Sequence, residues 1–240
     1  MPDVSQLLAR AESLVAKLEK LLPGEPVPVD WKAAIAFRWR KVNGANGRGA
    51  LHPVPQVHRI DIKALVGIDE QKSLVEQNTR QFVEGHPANN VLLTGARGTG
   101  KSSLIKALLN KYAPRGLRLI EVEKQDLIDL PDIVEMICQR PERFVLYCDD
   151  LSFEADEPGY KALKVILDGS VAAASENCLI YATSNRRHLM PEFMNENLEY
   201  KHVGEEIHPG ETSEEKVSLS ERFGLWVSFY PFDQIGRAHV

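Results

Sequence analysis

Nine consecutive residues combine glycines, a lysine and hydroxyl side chains in a spacing that suits phosphate binding. They follow the pattern G-x-x-x-x-G-K-S plus one more serine: Gly95, Ala96, Arg97, Gly98, Thr99, Gly100, Lys101, Ser102 and Ser103. The glycines allow a tight turn in which successive N–H groups point at one place and cradle phosphate oxygens. Lys101 adds an ammonium group for the outer phosphates, and the Ser102 hydroxyl suits Mg²⁺, which prefers hard oxygen ligands. The pattern predicts a P-loop that binds a nucleotide with magnesium.

Two carboxylates follow an apolar segment about 45 residues further on. Phe144–Cys148 reads as a buried strand, and Asp149 and Asp150 come directly after it. We expect Asp149 to help bind Mg²⁺ and Asp150 to orient or deprotonate an attacking water. Glu154, four positions after Asp150, is a competing candidate for the base, and the sequence alone leaves both open.

Two further polar groups belong to this set of candidates. Asn185 follows the strand candidate Leu179–Thr183 by two residues, and its amide could contact the γ-phosphate or the attacking water there. Arg222 lies on the segment before the last strand candidate, far along the chain from the P-loop, and is placed to reach a neighbouring subunit as an arginine finger. A structural ion pair is the alternative role for Arg222. Arg186 and Arg187 are weaker candidates for phosphate contact.

Short apolar segments that alternate with helical segments must position these residues. A helix is predicted over roughly 69–84, and strands are predicted at five places: Val91–Thr94, Leu117–Val122, Phe144–Cys148, Leu179–Thr183 and Leu225–Phe229. Such alternation indicates an α/β fold with a five-stranded parallel sheet covered by helices. Ligands in such sheets bind beyond the carboxyl ends of the strands, which is where the P-loop begins.

The segment before residue 60 is predicted to be a helical extension with linkers. Leucines recur at steps of three and four through residues 3–22, which suits a helix that either packs on its own domain or docks elsewhere. A second short helix is predicted from Trp31, Ile35, Arg38 and Trp39. The aromatic residues interleaved with basic ones here could contact nucleic acid, but packing onto the core is the favoured interpretation.

Composition limits the partners. The formal net charge is −5, so no global basic field draws the protein to nucleic acid or to an anionic membrane. No apolar run approaches the length of a membrane span, and no signal segment is visible. The three cysteines lack metal-ligand or CxxC spacing, which predicts free buried thiols. We therefore expect a soluble cytoplasmic protein.

Taken together, these motifs resemble the AAA+ superfamily. The P-loop, the Asp149-Asp150 strand end, the Ala182-Thr183-Ser184-Asn185 strand end and the Arg222-Phe223-Gly224 loop occur in the order of Walker A, Walker B, sensor 1 and arginine finger. From Trp31 to Gln234 the chain is similar to a bacterial family of uncharacterised AAA+-type ATP-binding proteins. The resemblance implies ATP and Mg²⁺ as cofactors, assembly into a homo-oligomer and action on a macromolecular client, with no client named.

The sequence differs from typical AAA+ proteins in two ways, and its last six residues are unusual. AAA+ proteins usually carry D-E where this chain has Asp149-Asp150, and they carry a C-terminal helical lid that is not visible here. Residues 235–240, when back-translated, resemble a sequencing adapter, so we expect a non-native tail on a chain cut before its lid. The expected division is a helical extension over 1–59, the ATP-binding core over 60–234 and the tail over 235–240.

Three other functions share the P-loop. A small-molecule kinase would need a lid with arginines and an acceptor site soon after the loop. A GTPase would need [N/T]-K-x-D on a late strand, and the only near match, Glu123-Lys124-Gln125-Asp126, follows an early strand. A nucleotide-gated scaffold with little turnover is compatible with Asp150 in place of glutamate.

Overall fold

The computed structural model describes residues 10, 12–14, 29–41, 49–153, 157–168, 176–185, 189, 202–203, 206–207, 219 and 221–230. Its strands are β1 (Ala36–Lys41), β2 (Gly49–Pro53), β3 (Val91–Gly95), β4 (Leu117–Glu121), β5 (Arg143–Cys148), β6 (Cys178–Ser184), β7 (His202–Val203), β8 (Glu206–Ile207) and β9 (Leu225–Phe229). Its longer helices are α1 (Asp69–Val83), α2 (Lys101–Tyr112), α3 (Leu130–Ile137) and α4 (Pro158–Leu167). Short 3₁₀ turns lie at Ile62–Ala64, Ala113–Arg115 and Lys124–Asp129.

One sheet organises the described part of the chain. Its strands lie in the order β2-β1-β4-β5-β6-β3-β9, and every neighbouring pair is parallel except β1 with β2. The prediction of an α/β fold with a parallel sheet is confirmed, and all five predicted strands belong to this sheet. The sheet has seven strands rather than five, because β1 and β2 extend it beyond β4.

Helices cover both faces of the sheet because its strands are apolar on both sides. On one face Val91, Val145 and Tyr181 pack with residues of α1 and α2. On the other face Leu146 and Ile180 pack with residues of α3 and α4. A strand that is buried on both faces reads as a continuous apolar run, which explains why the sequence pattern located β3, β4, β5 and β6 well.

The predicted short helix at residues 31–39 is wrong, since residues 36–41 form β1. Phe37 and Trp39 point to the same side and are buried, while Arg38 and Arg40 are more exposed. This alternation has the period of a strand, and it outweighs the four-residue spacing that suggested a helix. Trp31 is also buried, which supports packing rather than nucleic-acid contact for these aromatic side chains. Residues 36–41 and 49–53 thus contribute two strands to the core sheet, although they were predicted to lie in a helical extension.

The remaining predictions can be compared with the structure only where they fall on described residues. Residues 10 and 12–14 have helical backbone, and the rest of the helix predicted over 3–22 lies outside the described residues, as does the 235–240 segment. The helix predicted over 69–84 is confirmed as α1. All three cysteines are free thiols, but Cys138 is exposed rather than buried. Within the part of the chain that the structure describes, no helix is long and apolar enough to cross a membrane.

Two buried tyrosines on β5 and β6 provide a matched test of the core. Tyr147 and Tyr181 are register partners on one face of the sheet. The Tyr181 hydroxyl bonds to Asn78 Nδ2 at 3.2 Å and to Thr79 Oγ1 at 2.8 Å. The Tyr147 hydroxyl lies close to Ser102, Asp149 and Thr183 but makes no hydrogen bond of ordinary geometry to a described residue.

We therefore expect Tyr181→Phe to lower the free energy of unfolding by about 1–3 kcal/mol, because it removes two buried hydrogen bonds and leaves one N–H of the Asn78 amide unpaired. Tyr147→Phe removes a buried hydroxyl that lacks a hydrogen bond of ordinary geometry, and it is expected to cost less stability than Tyr181→Phe or none at all. Urea unfolding of the two variants measures this difference. Equal destabilisation by both variants would contradict the assignment of the hydrogen bonds.

Candidate functional site

The glycine-rich loop connects the end of β3 to the start of α2. Gly98 and Gly100 have φ angles of 79° and 96°, a left-handed conformation that glycine adopts without strain. A Cβ atom built on Gly98 would meet no atom within 4 Å, so the loop opens onto free space at this position. The loop lines a cavity of about 260 Å³ that faces the strand ends. This geometry fits a phosphate group held by backbone N–H groups and by the N-terminus of α2.

Neighbouring strands bring the predicted carboxylates and the amide to this cavity. β3 lies beside β6, and β6 lies beside β5, so the carboxyl ends of the three strands meet at one edge. Asp149, Asp150 and Asn185 line the cavity together with residues 97–103. The structure thus brings together side chains as far apart along the chain as Arg97 and Asn185, which are 88 positions apart.

The Lys101 side chain is buried and folds back onto its own loop. Its Nζ donates to Gly95 O at 2.6 Å, to Ala96 O at 2.8 Å and to Asn185 Oδ1 at 3.1 Å. Burial lowers the pKa of Lys101, while Asp149 and Asp150 act in the opposite direction without cancelling the shift. The ammonium group is therefore held at the base of the cavity by three neutral acceptors, which a phosphate oxygen can replace.

Asp149 lies at the centre of a cluster of oxygen atoms. Its Oδ1 accepts hydrogen bonds from Ser102 Oγ at 3.1 Å and from Thr183 Oγ1 at 2.5 Å. Burial acts to raise the pKa of Asp149, but the neighbouring hydroxyl groups of Thr183, Tyr147 and Ser102 hold the pKa below its ordinary value. A carboxylate with a lowered pKa beside a hydroxyl is a suitable donor set for Mg²⁺, which takes oxygen ligands. The residues present therefore fit the implied magnesium ion.

Asp150 is held from two sides. Asn185 Nδ2 donates to its Oδ1 at 2.5 Å, and Arg97 Nη2 contacts its Oδ2 at 2.9 Å. Its backbone has a φ of 52°, a left-handed conformation that few residues other than glycine adopt. Its amide N–H donates to Thr183 Oγ1 at 2.9 Å, which helps to fix this turn.

Arg222 lies at the opposite end of the sheet from the loop. Leu225, at the start of β9, pairs with Val91, whereas Phe229 pairs with Gly95 at the loop. At about 3.3 Å per residue, the two ends of this register are roughly 13 Å apart along the strand, and Arg222 precedes it. Arg222 Nε makes an ion pair with Asp168, just after α4.

Three candidate residues lie outside the described part of the chain: Glu154, Arg186 and Arg187. Two features of the site were missed by the sequence analysis. Thr183 holds both Asp149 and the amide of Asp150, and the register that pairs Cys148 with Ala182 is the signal that could have found it. The ion pair between Arg97 and Asp150 joins two loops, and no local pattern indicates it.

The loop, the parallel sheet and the polar strand ends define the P-loop NTPase fold. The chain belongs to the DUF815 family, described as proteins of unknown function, whose family model matches residues 32–237.

Comparison with known proteins adds one curated relative and several solved structures. The chain is 32% identical over 121 residues to the proteasome-associated ATPase of Mycobacteroides abscessus, a match that covers 48% of this chain and 20% of that protein. The chain thus spans about a fifth of the length of this relative. DnaI has 20% identity and a TM-score of 0.45, covering 73% of this chain and 89% of that one. The ORC1 protein of Aeropyrum pernix in complex with DNA has 16% identity and a TM-score of 0.48, covering 70% and 46%.

Proposed function

We propose that the protein binds ATP with Mg²⁺ and hydrolyses it, as an AAA+ module that acts on a macromolecular client. The observation that carries this proposal is the meeting of Lys101, Asp149, Asp150 and Asn185 around one open glycine-rich loop. The matching part of the curated relative, which is named as an ATPase, supports the same reaction.

Each part of the site has a role in binding. The backbone N–H groups of the loop hold the inner phosphates, and Lys101 moves from its carbonyl partners to the outer ones. Ser102 and Asp149 are the residues that would hold Mg²⁺, which supplies charge neutralisation for the phosphate chain. Thr183 keeps Asp149 oriented by donating a hydrogen bond to it.

Hydrolysis needs a group that orients the attacking water. Asp150 stands at the cavity next to Asn185, and the two are hydrogen-bonded. In the proposal, the Asp150 carboxylate accepts the proton of the water, and the Asn185 amide donates to the γ-phosphate or to the same water. Glu154 remains the competing base.

The position of Arg222 supports action in an oligomer. Because Arg222 lies at the end of β3 opposite to its own loop, it can contact a nucleotide only if that nucleotide belongs to another subunit. In the proposal, the protein forms a homo-oligomer in which Arg222 completes the neighbour's site. No described feature identifies the client, and nucleic acid is one open class.

A nucleotide-gated scaffold with little turnover is the second candidate. It is favoured by the engagement of both Asp150 oxygens, one by Asn185 and one by Arg97, which opposes proton acceptance. The two candidates differ in one measurement, the steady-state release of phosphate from Mg-ATP as protein concentration is raised. A superlinear rise supports hydrolysis that depends on assembly, and no release supports the scaffold.

The first test of the proposal is Lys101→Ala. We expect it to weaken ATP binding by about 10-fold or more, because a charge-assisted hydrogen bond to phosphate is lost. Calorimetric titration with Mg-ATP and Mg-GTP measures the affinity and the preference for adenine or guanine.

Lys106→Ala is the matched control, since Lys106 is exposed on the same helix and does not line the cavity. Equal ATP affinity in the wild type and Lys101→Ala would refute the assignment of the loop. A preference for GTP would revive the GTPase interpretation.

A further inference from the structure

A chain of side-chain contacts joins the glycine-rich loop to the two strand ends that face it. Arg97, on the loop, contacts Asp150 after β5 at 2.9 Å. Asp150 accepts from Asn185 after β6 at 2.5 Å, and Asn185 accepts from Lys101, which returns to the loop, at 3.1 Å. All four residues line the same cavity. The Arg97–Asp150 contact therefore crosses from the loop to the strand end across from it.

Arg97 is not needed for the fold. Its side chain is 82% exposed, and that of Asp150 is 49% exposed. An ion pair with this exposure contributes little to stability, because water and salt screen it and because ordering two side chains costs entropy. Arg97 can therefore exchange Asp150 for a stronger partner without disturbing the core.

A terminal phosphate is such a partner. The described charged residues of the cavity are Arg97 and Lys101 on one side and Asp149 and Asp150 on the other, so their charges balance. An added terminal phosphate would face two carboxylates, and because the complex of ATP with the proposed Mg²⁺ still carries net negative charge, a further cation would stabilise it. A guanidinium group binds phosphate through a planar fork of N–H donors, and a phosphate group carries more charge than the single carboxylate of Asp150.

We propose that Arg97 binds the outermost phosphate of ATP within its own subunit and thereby distinguishes ATP from ADP. This inference rests on the proposed function. In the nucleotide-free arrangement Asp150 holds Arg97 in place. When the γ-phosphate arrives, Arg97 leaves Asp150 for the phosphate, and the freed carboxylate oxygen can accept a hydrogen bond from the attacking water. ADP has no γ-phosphate and leaves the ion pair intact. Arg97 thus acts in its own subunit, in contrast to the role proposed for Arg222.

The test compares two nucleotides in wild type and Arg97→Gln. Calorimetric titration with Mg-ADP and with the Mg²⁺ complex of a β,γ-imido analogue of ATP gives the ratio of the two affinities without turnover. We expect Arg97→Gln to reduce the preference for the ATP analogue by about 10-fold or more, as loss of a charge-assisted hydrogen bond implies. The affinity for ADP is expected to change little. Arg97→Lys keeps the charge and is expected to retain most of the preference.

Arg115→Gln is the matched control, because Arg115 also makes an exposed ion pair, with Glu84, and does not line the cavity. An unchanged affinity ratio in Arg97→Gln, or an equal loss for both nucleotides, would overturn the inference while leaving nucleotide binding established. If the wild type binds neither nucleotide, the proposed function fails as well. Circular dichroism on each variant shows that the fold is kept.

Discussion

Asp150→Asn is expected to abolish ATP turnover while leaving ATP binding nearly intact. Asparagine cannot accept the proton of an attacking water, but it has the shape of aspartate and tolerates the left-handed backbone found at this position. Loss of a general base typically lowers the rate by about 10²–10⁴-fold. Steady-state phosphate release measures turnover, and calorimetry with Mg-ATP measures binding.

Glu154→Gln is the matched control for this prediction, since it neutralises the competing carboxylate four residues further on. If Glu154→Gln abolishes turnover and Asp150→Asn does not, the base has been assigned to the wrong residue. If the wild type releases no phosphate at any protein concentration, neither residue acts as a base, and the scaffold interpretation is preferred.

Arg222→Ala is expected to lower kcat by about 10³-fold or more with little effect on ATP affinity, because an arginine finger stabilises charge that develops only during phosphoryl transfer. The structure places Arg222 at the far end of β3 from its own loop, so the effect requires a second subunit. Phosphate release at rising protein concentration measures the effect, and the superlinear rise should disappear in the variant.

The ion pair between Arg222 and Asp168 provides a control. It distinguishes an arginine finger, which acts on a neighbour's nucleotide, from an arginine that only stabilises its own subunit. Asp168→Ala breaks the same ion pair but leaves the guanidinium group in place. If Arg222 acts only through this pair, both variants should lose the same activity and the same stability. If Arg222 acts on a neighbouring nucleotide, only Arg222→Ala should lose turnover.

The strands that are buried on both faces could be predicted because each of them forms a short run of mostly apolar residues in the sequence. Val91–Gly95 and Arg143–Cys148 are short apolar runs bounded by polar residues, and a strand covered on both faces has no other signature. Their order in the sheet could not be read in the same way, because pairing depends on contacts between distant segments. The motif at 95–103 fixed one edge of the sheet as the place of the site.

Strand β1 shows the limit of this reasoning. In Ala36–Lys41 two periods compete, since Trp31, Ile35 and Trp39 recur every four residues while Phe37 and Trp39 recur every two. Packing against the core favours the strand over the helix. Such packing depends on tertiary contacts, which a local sequence pattern does not contain. The Trp39 indole even donates to Asp129, 90 positions away, at 2.9 Å.

The site divides in the same manner. Lys101, Ser102 and Asp149 could be assigned from residue type and spacing, and the structure places them around one cavity. The engagement of Asp150 by Arg97 could not, because it depends on how two loops from separate strands face each other. The proposed move of Arg97 from Asp150 to the terminal phosphate could therefore be inferred only from the folded structure and not from the sequence.

The left-handed turn at Asp150 has a consequence for the length of its side chain. Aspartate and asparagine are enriched in this conformation, because a short polar side chain can hydrogen-bond to nearby backbone, and glutamate does not share this advantage. The Asp149-Asp150 pair, where AAA+ proteins usually carry D-E, is thus matched to the turn that Thr183 fixes. The length of the side chain at position 150 and the left-handed backbone at this position are therefore coupled. We expect that replacing Asp150 with the longer glutamate would also disfavour the left-handed turn.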